Sequence, residues 1–449
     1  MNDETRLLSV SRDEIENLQL VRLQETLQRA KQTPYFGGRF ADRTVESLAD
    51  LADLPPTTKE DLRVASPFGG LAVPMSELIQ YHESTGTTGV AASSWLTQND
   101  YDAFADQINQ CALDFGPEDV LVNKFPYAIS MPAHIVKRAA QKRGACAVSA
   151  SSLSPLCTYT RTIELMQKTR ATVLTCLPTD ANLLGAAARA MGLNPTKDFH
   201  LRAVGTAGAL LTDARRRRIS ECWDCKVFNY YGTTETGNLA ADCSEGKLHL
   251  AWDQFLFEVL DPETHQTLPE GEAGMPAITT LSREAMPLVR YLLGDHVRLE
   301  YNHNCPCGRR SPIVDHHGRD QNRFSFRDRS ISMADIEDRL FRLPSTAVGD
   351  IWMIVVTPER VYFRSEAASP DASLYQQAEQ DIQDEFDLPL TIDAVPLGAL
   401  FPMQILMEPA FTGKPSYYCH AESLEEAPQN LPDLWAGAFL AGMEGPPDK

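Results

Sequence analysis

The 449-residue chain predicts an α/β protein in two unequal parts. Residues 1–318 form a large N-terminal domain on mostly parallel sheets with a β-rich subdomain, and residues 319–449 form a small α+β domain. Three observations carry that reading. The length exceeds what one hydrophobic core usually serves. From about Tyr101 to Ala240, apolar runs of strand length alternate with helical patterns. A densely charged stretch, Asp315 to Arg329, then separates this region from a helix, a strand pair and a second helix.

Taken in order, Glu14 to Gln32 places Leu20, Leu23, Leu27 and Ala30 on one helical stripe, and Thr33-Pro34 ends it. Val120–Val122, Ala145–Val148, Ala171–Leu174 and Lys226–Phe228 are the strand-length runs of a βαβ series. Arg215-Arg216-Arg217-Arg218 reads as a solvated helix face, because consecutive helical residues point in different directions. Between Leu248 and Leu299, Val- and Leu-rich runs are broken by Asp-Pro, Glu-Gly and Ala-Gly turns, which predicts the β-rich subdomain. Asp315 to Arg329, with His316, His317, Arg319, Asp320, Arg323 and Arg327, is the candidate linker. Ile331–Leu343 then reads as a helix, Ile351–Phe363 as paired strands and Leu374–Phe386 as an acidic helix.

Lys and Arg total 41 against 61 Asp and Glu, a net charge of −20, which argues against non-specific binding to nucleic acid or an anionic membrane. An anionic substrate therefore needs a local positive site. No apolar run approaches the roughly 20 residues of a membrane span, and residues 1–16 lack an apolar core, so a cytoplasmic location is expected. Ten cysteines in such a chain are expected as free thiols or metal ligands.

Four ordered motifs carry chemistry. Ser84-Thr85-Gly86-Thr87-Thr88-Gly89 combines hydroxyl donors with glycines that let backbone N–H groups approach phosphate oxygens; alone, such a run is equally a polar turn. Tyr231-Gly232-Thr233-Thr234-Glu235 follows a strand, where open α/β sheets bind ligands. Thr234 can donate to a phosphate and Glu235 can hold Mg²⁺, although Glu235 could also be an ordinary acid at a helix N-terminus. Asp295, after Gly294, suits both hydroxyls of a ribose or a plain turn, and Lys414, after Gly413, is a point charge suited to bridge a carboxylate and an α-phosphate or a surface lysine. Separately, Cys243, His249, Cys305 and Cys307 fit a closed tetrahedral Cys₃His set typical of structural zinc; the alternative is unrelated thiols on two loops.

These motifs, with Leu54-Pro55-Pro56-Thr57-Thr58-Lys59-Glu60-Asp61-Leu62-Arg63 and Thr279 to Tyr291, resemble the adenylate-forming superfamily of acyl- and aryl-CoA ligases, within it the phenylacetate-CoA ligase group, over almost the whole chain. The resemblance implies a mobile C-terminal domain that swings about a hinge. It implies joining of a carboxylic acid to ATP as acyl-AMP, then displacement of AMP by a thiol, usually that of CoA. By position, Ser84 to Gly89 would cradle the β- and γ-phosphates, and Thr234 and Glu235 would meet the α-phosphate and Mg²⁺. The nucleotide set would also include Tyr231, Gly232, Thr233, Asp295 at the ribose and Arg319, with Ala207, Gly208, Ala209 and Tyr230 flanking adenine. Lys414 would stabilise the transition state. Phe125, Tyr127, Ala128, His134 and Gly205 would line the acyl pocket, whose aromatic lining suits an aromatic acid; a lone Tyr127 or His134 is otherwise an ordinary core residue. A homodimer is an open assembly.

Three positions depart from the family pattern. The phosphate loop continues Val90-Ala91-Ala92 where a Lys and a Pro are usual, Gln321 stands at a usual Asp of the hinge, and Asp328 stands at a usual Gly of the thiol tunnel. Asp328 keeps open an amine acceptor (an amide synthetase) or a carrier-protein thiol. The altered loop and hinge keep open a catalytically idle nucleotide-binding homologue, and the Cys/His set a metal-binding scaffold.

Overall fold

The computed structural model describes residues 11–84, 91–152, 154, 156–301, 304–319, 322–402 and 417–435. Helix α1 (Arg12–Lys31) starts at a capping box in which Ser11 and Glu14 satisfy each other's backbone amides, and it buries Leu23, Leu27 and Ala30. Its end at Lys31 precedes Thr33-Pro34, as the sequence predicts. A single turn, α2 (Gly37–Phe40), is followed by α3 (Lys59–Ala65), capped reciprocally by Thr58 and Asp61. Strands β1 (Leu78–Glu83) and β2 (Ser93–Thr97) then form an antiparallel ribbon.

Helix α4 (Gln98–Asn109) leads into the alternation read from the sequence: β3 (Val120–Asn123), α5 (Pro132–Lys142), β4 (Cys146–Ser149), α6 (Tyr159–Thr169), β5 (Val173–Cys176), α7 (Pro178–Ala190), β6 (Ala203–Thr206), α8 (Asp213–Trp223) and β7 (Lys226–Thr233). Their order in the sheet is β7-β6-β5-β3-β4, every pair parallel. The chain steps outward from β3 to β4 and returns to β5 on the other side of β3, so the order reverses there and the carboxyl ends open a crevice. Strand β6 is one the sequence reading does not mark: its four residues, Ala-Val-Gly-Thr, are buried throughout, but Gly205 and Thr206 leave an apolar run of only two.

Beyond β7 the same sheet continues antiparallel. Strands β8 (Gly237–Asp242), β9 (Leu248–Leu250), β10 (Phe255–Leu260), β11 (Ala273–Thr280), β12 (Tyr291–Leu292), β13 (Asp295–Glu300) and β14 (Ile313–Arg319) take the spatial order β7-β8-β9-β14-β13-β11-β10, with β12 beside β11. This is the expected β-rich region. The candidate linker needs correction, because its first part is an inner strand. Ile313 and Val314 are buried, and across the ladder Arg298 meets Asp315 at 2.7 Å while Asp295 faces His316 and Arg319. Charge density marks a linker only when the charges lack partners across a sheet.

The rest of that stretch contributes a hairpin, β15 (Arg323–Phe326) and β16 (Arg329–Ser332), so α9 (Met333–Leu340) starts two residues later than the periodicity suggests. Strands β17 (Trp352–Val356) and β18 (Val361–Glu366) pair as expected, and α10 (Ala372–Phe386), β19 (Leu390–Val395) and β20 (Tyr418–His420) complete a separate four-stranded sheet, β19-β18-β17-β20.

The arginine run is the second correction. Of the four arginines on α8 only Arg217 is exposed; Arg215 and Arg218 are 6% and 4% exposed. Arg215 is bound through two nitrogens to Glu337 of α9, and Arg218 donates to the carbonyls of Phe341, Leu343 and Val348 and reaches Asp350 at 3.1 Å. Arg216 takes Asp242 instead. The four side chains do point in different directions, but packed elements cover three of those directions.

Candidate active site

At the end of β1, Ser84 is buried, and it closes the base of the phosphate-loop motif by donating its N–H to the Ala92 carbonyl at 3.0 Å and accepting the Ala92 N–H on Oγ at 3.0 Å. Thr85, Gly86, Thr87, Thr88 and Gly89 lie outside the described residues, as do Gln321, Gly413 and Lys414.

Strand β7 delivers the second motif. A Cβ on Gly232 would stand 2.1 Å from the Gly237 carbonyl oxygen, so only glycine lets the β7–β8 hairpin close there. Thr233 Oγ1 lies 3.1 Å from Thr236 Oγ1, and Thr234 is half-buried at the turn. Glu235 sits in this strand-to-strand turn, which removes the helix N-terminus reading, and is 5% exposed. Its carbonyl accepts from Arg283 Nη1 at 3.1 Å; its Oε1 has no hydrogen-bond partner among the described residues, with Lys59 Nζ 3.6 Å away. A buried carboxylate oxygen without a donor is costly unless something occupies it. An oxygen-preferring cation fits that position, so the residues suit Mg²⁺.

Lys59 reaches Glu235 because Thr57 is clamped to the neighbouring strand: its Oγ1 donates to Val289 O at 2.8 Å, its N–H to Arg290 O at 3.0 Å, and its carbonyl accepts from Leu292 N–H at 2.9 Å. Arg283 is buried under the turn, donating to Ser94 Oγ at 2.9 Å and lying over the Phe104 ring. Burial pulls its guanidinium pKa down, against Asp100 and Glu235, which favour the charged form.

Strand alternation turns Tyr230 and Tyr231 to opposite faces. Tyr230 packs in the core beside Gly205, and Tyr231 turns to β13, donating its hydroxyl to Asp295 Oδ2 at 2.8 Å with its ring 4.5 Å from that of His316. Asp295 begins β13 and stands opposite Arg319, the last residue of β14; Arg319 Nε donates to Oδ1 at 2.5 Å. Burial pushes the Asp295 carboxyl up, but His316 and Arg319 outweigh it and hold the group well below the usual carboxylate range. Burial also pulls the Arg319 guanidinium down, and Asp295 more than restores it. A 1%-exposed anion at the start of an inner strand is thereby kept ionised. Ala207, Gly208 and Ala209 follow β6 at its carboxyl end, Gly208 and Ala209 exposed, with Gly208 at φ +82°.

The five acyl-pocket candidates divide. Phe125 is 1% exposed and Gly205 lies within β6 among Leu113, Thr175 and Tyr230, so both are packed into the core. Tyr127 and His134 are half-buried and linked: His134 Nε2 meets the Tyr127 carbonyl at 2.9 Å, the rings are 5.3 Å apart, and Asn123 Nδ2 donates to the Tyr127 hydroxyl at 3.1 Å. Ala128 is exposed beside them.

Cys243, His249, Cys305 and Cys307 come together, one ligand atom of each within 4.8 Å of all the others. Cys243 Sγ and Cys305 Sγ are 3.8 Å apart, and Cys307 Sγ is 3.4 Å from His249 Nε2. His249 Nδ1 faces the Ser311 carbonyl at 2.9 Å, which puts the ring proton there and leaves Nε2 as a ligand. Three soft sulfurs and one imidazole fit zinc.

The structure adds residues that no motif marks as site residues. Lys59 was visible only within a longer stretch, and His316 looked like part of a linker. Arg283 likewise lies inside the Thr279–Tyr291 stretch without being singled out there, and His82, buried on β1, lies in no motif.

Residues 76–278 match the AMP-binding enzyme family. The chain is 30% identical over 384 residues to the phenylacetate-coenzyme A ligase of Thermus thermophilus, covering 82% of each protein. It is 28% identical over 348 residues to that of Pseudomonas putida, covering 75% of this chain and 77% of the relative. Among solved structures it superposes on a 2-hydroxyisobutyryl-CoA ligase in the postadenylation state, in complex with 2-HIB-AMP, with a TM-score of 0.81 at 21% identity, covering 98% of this chain and 94% of that one. Glu235 and the β7–β8 turn that carries it fall within the matched residues 76–278, and with 30% identity over 82% of both proteins the chain belongs to the phenylacetate-coenzyme A ligase family of AMP-binding enzymes.

Proposed function

We propose that the chain is an ATP-dependent, AMP-forming acid–CoA ligase acting on an aromatic carboxylic acid. The acid's carboxylate oxygen attacks the α-phosphorus of ATP and pyrophosphate leaves; the CoA thiol then attacks the acyl carbon, AMP leaves and a thioester remains. The observation that carries this reading is a pair of buried carboxylates, Glu235, whose Oε1 has no hydrogen-bond partner among the described residues, and Asp295, held ionised by His316 and Arg319.

In this reading Asp295 receives the ribose hydroxyls, Arg319 keeps it charged, and Thr234 donates to the α-phosphate. Glu235 Oε1 would hold Mg²⁺, which when bound neutralises phosphate charge. Ser84 and the following motif hold the outer phosphates. Tyr127 and His134 face an aromatic acyl group, and the unit from residue 319 onward acts as a lid that supplies Lys414. Cys243, His249, Cys305 and Cys307 would hold a structural zinc that ties the β8–β9 turn to the β13–β14 connection. Asp328 lies exposed at the tip of the β15–β16 hairpin, beside Arg327 at φ +55°, so the acceptor step is where an amine could compete.

The test is product analysis. Enzyme, ATP, Mg²⁺ and a panel of aromatic and aliphatic acids are incubated with CoA, then with amines, and read by mass spectrometry. An aryl-CoA thioester with stoichiometric AMP is expected. Amide as the dominant product would replace CoA as acceptor, and ADP in place of AMP would overturn the reading.

A further inference from the structure

Ile129 is a β-branched residue with φ +59°, its side chain 57% exposed. Such a residue adopts the left-handed region only under strain, at a cost of order 1–3 kcal/mol, and only when its surroundings hold it there. The loop it distorts lies between Phe125 and Met131 and carries Tyr127 and Ala128. Two donors converge on its carbonyl: His82 Nδ1 at 3.0 Å and the Glu83 N–H at 3.3 Å. Both come from β1, whose next residue is Ser84, the stem of the phosphate-loop motif.

His82 is 2% exposed, and its ring lies 5.2 Å from that of His134, which in turn holds the Tyr127 carbonyl. Its Nε2 meets the Gln80 side-chain amide at 3.0 Å. Burial lowers its pKa to about 4, so the ring is neutral at physiological pH, with one proton to place. A carbonyl accepts only, so that proton belongs on Nδ1, and Nε2 accepts from the Gln80 amide turned to donate.

We infer that His82 is a positioning residue, which by donating Nδ1–H to the Ile129 carbonyl fixes the Tyr127–Ile129 segment of the acyl pocket against the Ser84 stem of the phosphate site. Acid and nucleotide must meet with the carboxylate in line with the α-phosphorus, and misplacement by about 1 Å can cost on the order of a hundredfold in rate. A rigid tie between the two binding segments supplies that registration. The inference rests on the ligase reading.

Its test compares His82→Asn with His82→Gln in the full-length protein. The Asn amide nitrogen replaces Nδ1 and can still reach Ile129, whereas the longer Gln places its donor toward Gln80. Acid-dependent exchange of pyrophosphate into ATP gives separate KM values for acid and ATP. His82→Gln is expected to lower the saturating exchange rate and raise the acid KM, a combined loss of about tenfold or more, as loss of a buried hydrogen bond would give, with the ATP KM within about twofold; His82→Asn is expected to recover most of it. Equal behaviour of the two variants, or acid and ATP KM rising together, would overturn the positioning role while leaving the ligase reading intact. Absence of exchange in the wild type with every acid overturns both.

Discussion

Replacing Asp295 with Asn perturbs the centre of the proposed nucleotide site without changing its shape. The carboxylate is 1% exposed, accepts from Tyr231 at 2.8 Å and Arg319 at 2.5 Å, and has His316 Nε2 at 3.8 Å. Hydrogen bonds to a charged group contribute about 1.5–3 kcal/mol, against about 0.5–1.5 for neutral pairs. Two ribose hydroxyls bound by an amide rather than a carboxylate therefore lose together about 2–3 kcal/mol, or roughly 30- to 150-fold in ATP KM. The substitution also has a pH signature. Because the folded-state pKa of Asp295 is depressed, the group contributes stability that is present above its unfolded value of about 3.9 and is lost as pH falls through the folded value. The melting gap between wild type and Asp295→Asn should thus be full at pH 6 and narrow below about pH 4. Initial rates of pyrophosphate–ATP exchange across ATP concentrations, with thermal melts over pH, measure both. An ATP KM raised less than threefold, together with a melting gap that ignores pH, would refute the reasoning.

Glu235→Gln removes the anionic oxygen offered to Mg²⁺, so the Mg²⁺ concentration for half-maximal exchange should rise about tenfold or more, read by titration at fixed ATP. Arg218→Ala strips a donor from three carbonyls and leaves Asp350 without it, so a loss of about 3–5 kcal/mol is expected; faster hydrogen exchange in α8 and α9 should localise it, and unchanged exchange would contradict it. Metal analysis should find about one zinc per chain, absent from His249→Ala, with a lower melting temperature that chelation of the wild type reproduces.

Much of the fold was legible because local signals agreed with tertiary ones. The βαβ series announced itself through strand-length apolar runs separated by helical periods, and α1 through its stripe and the Thr33-Pro34 stop. Strand β6 was not legible, since Gly205 and Thr206 cut its apolar run to two residues, Ala203 and Val204. The arginines of α8 misled for another reason: a run of like charge reads as solvated unless the partners are known, and Glu337 and Asp350 lie more than a hundred residues away. At the site, Glu235 and Asp295 stood out through their neighbours Gly232 and Gly294, which mark turns at strand ends. Lys59, His82 and His316 did not, because their significance is distance to another segment, and no local pattern encodes that.

The most direct test of the central claim is acid-dependent exchange of labelled pyrophosphate into ATP by the purified protein, with phenylacetate and related aromatic acids as the panel. Exchange that requires both acid and Mg²⁺ and falls sharply in Lys414→Ala is the predicted result. Exchange without acid, or no exchange with any acid in the panel while ATP still binds, would contradict the account.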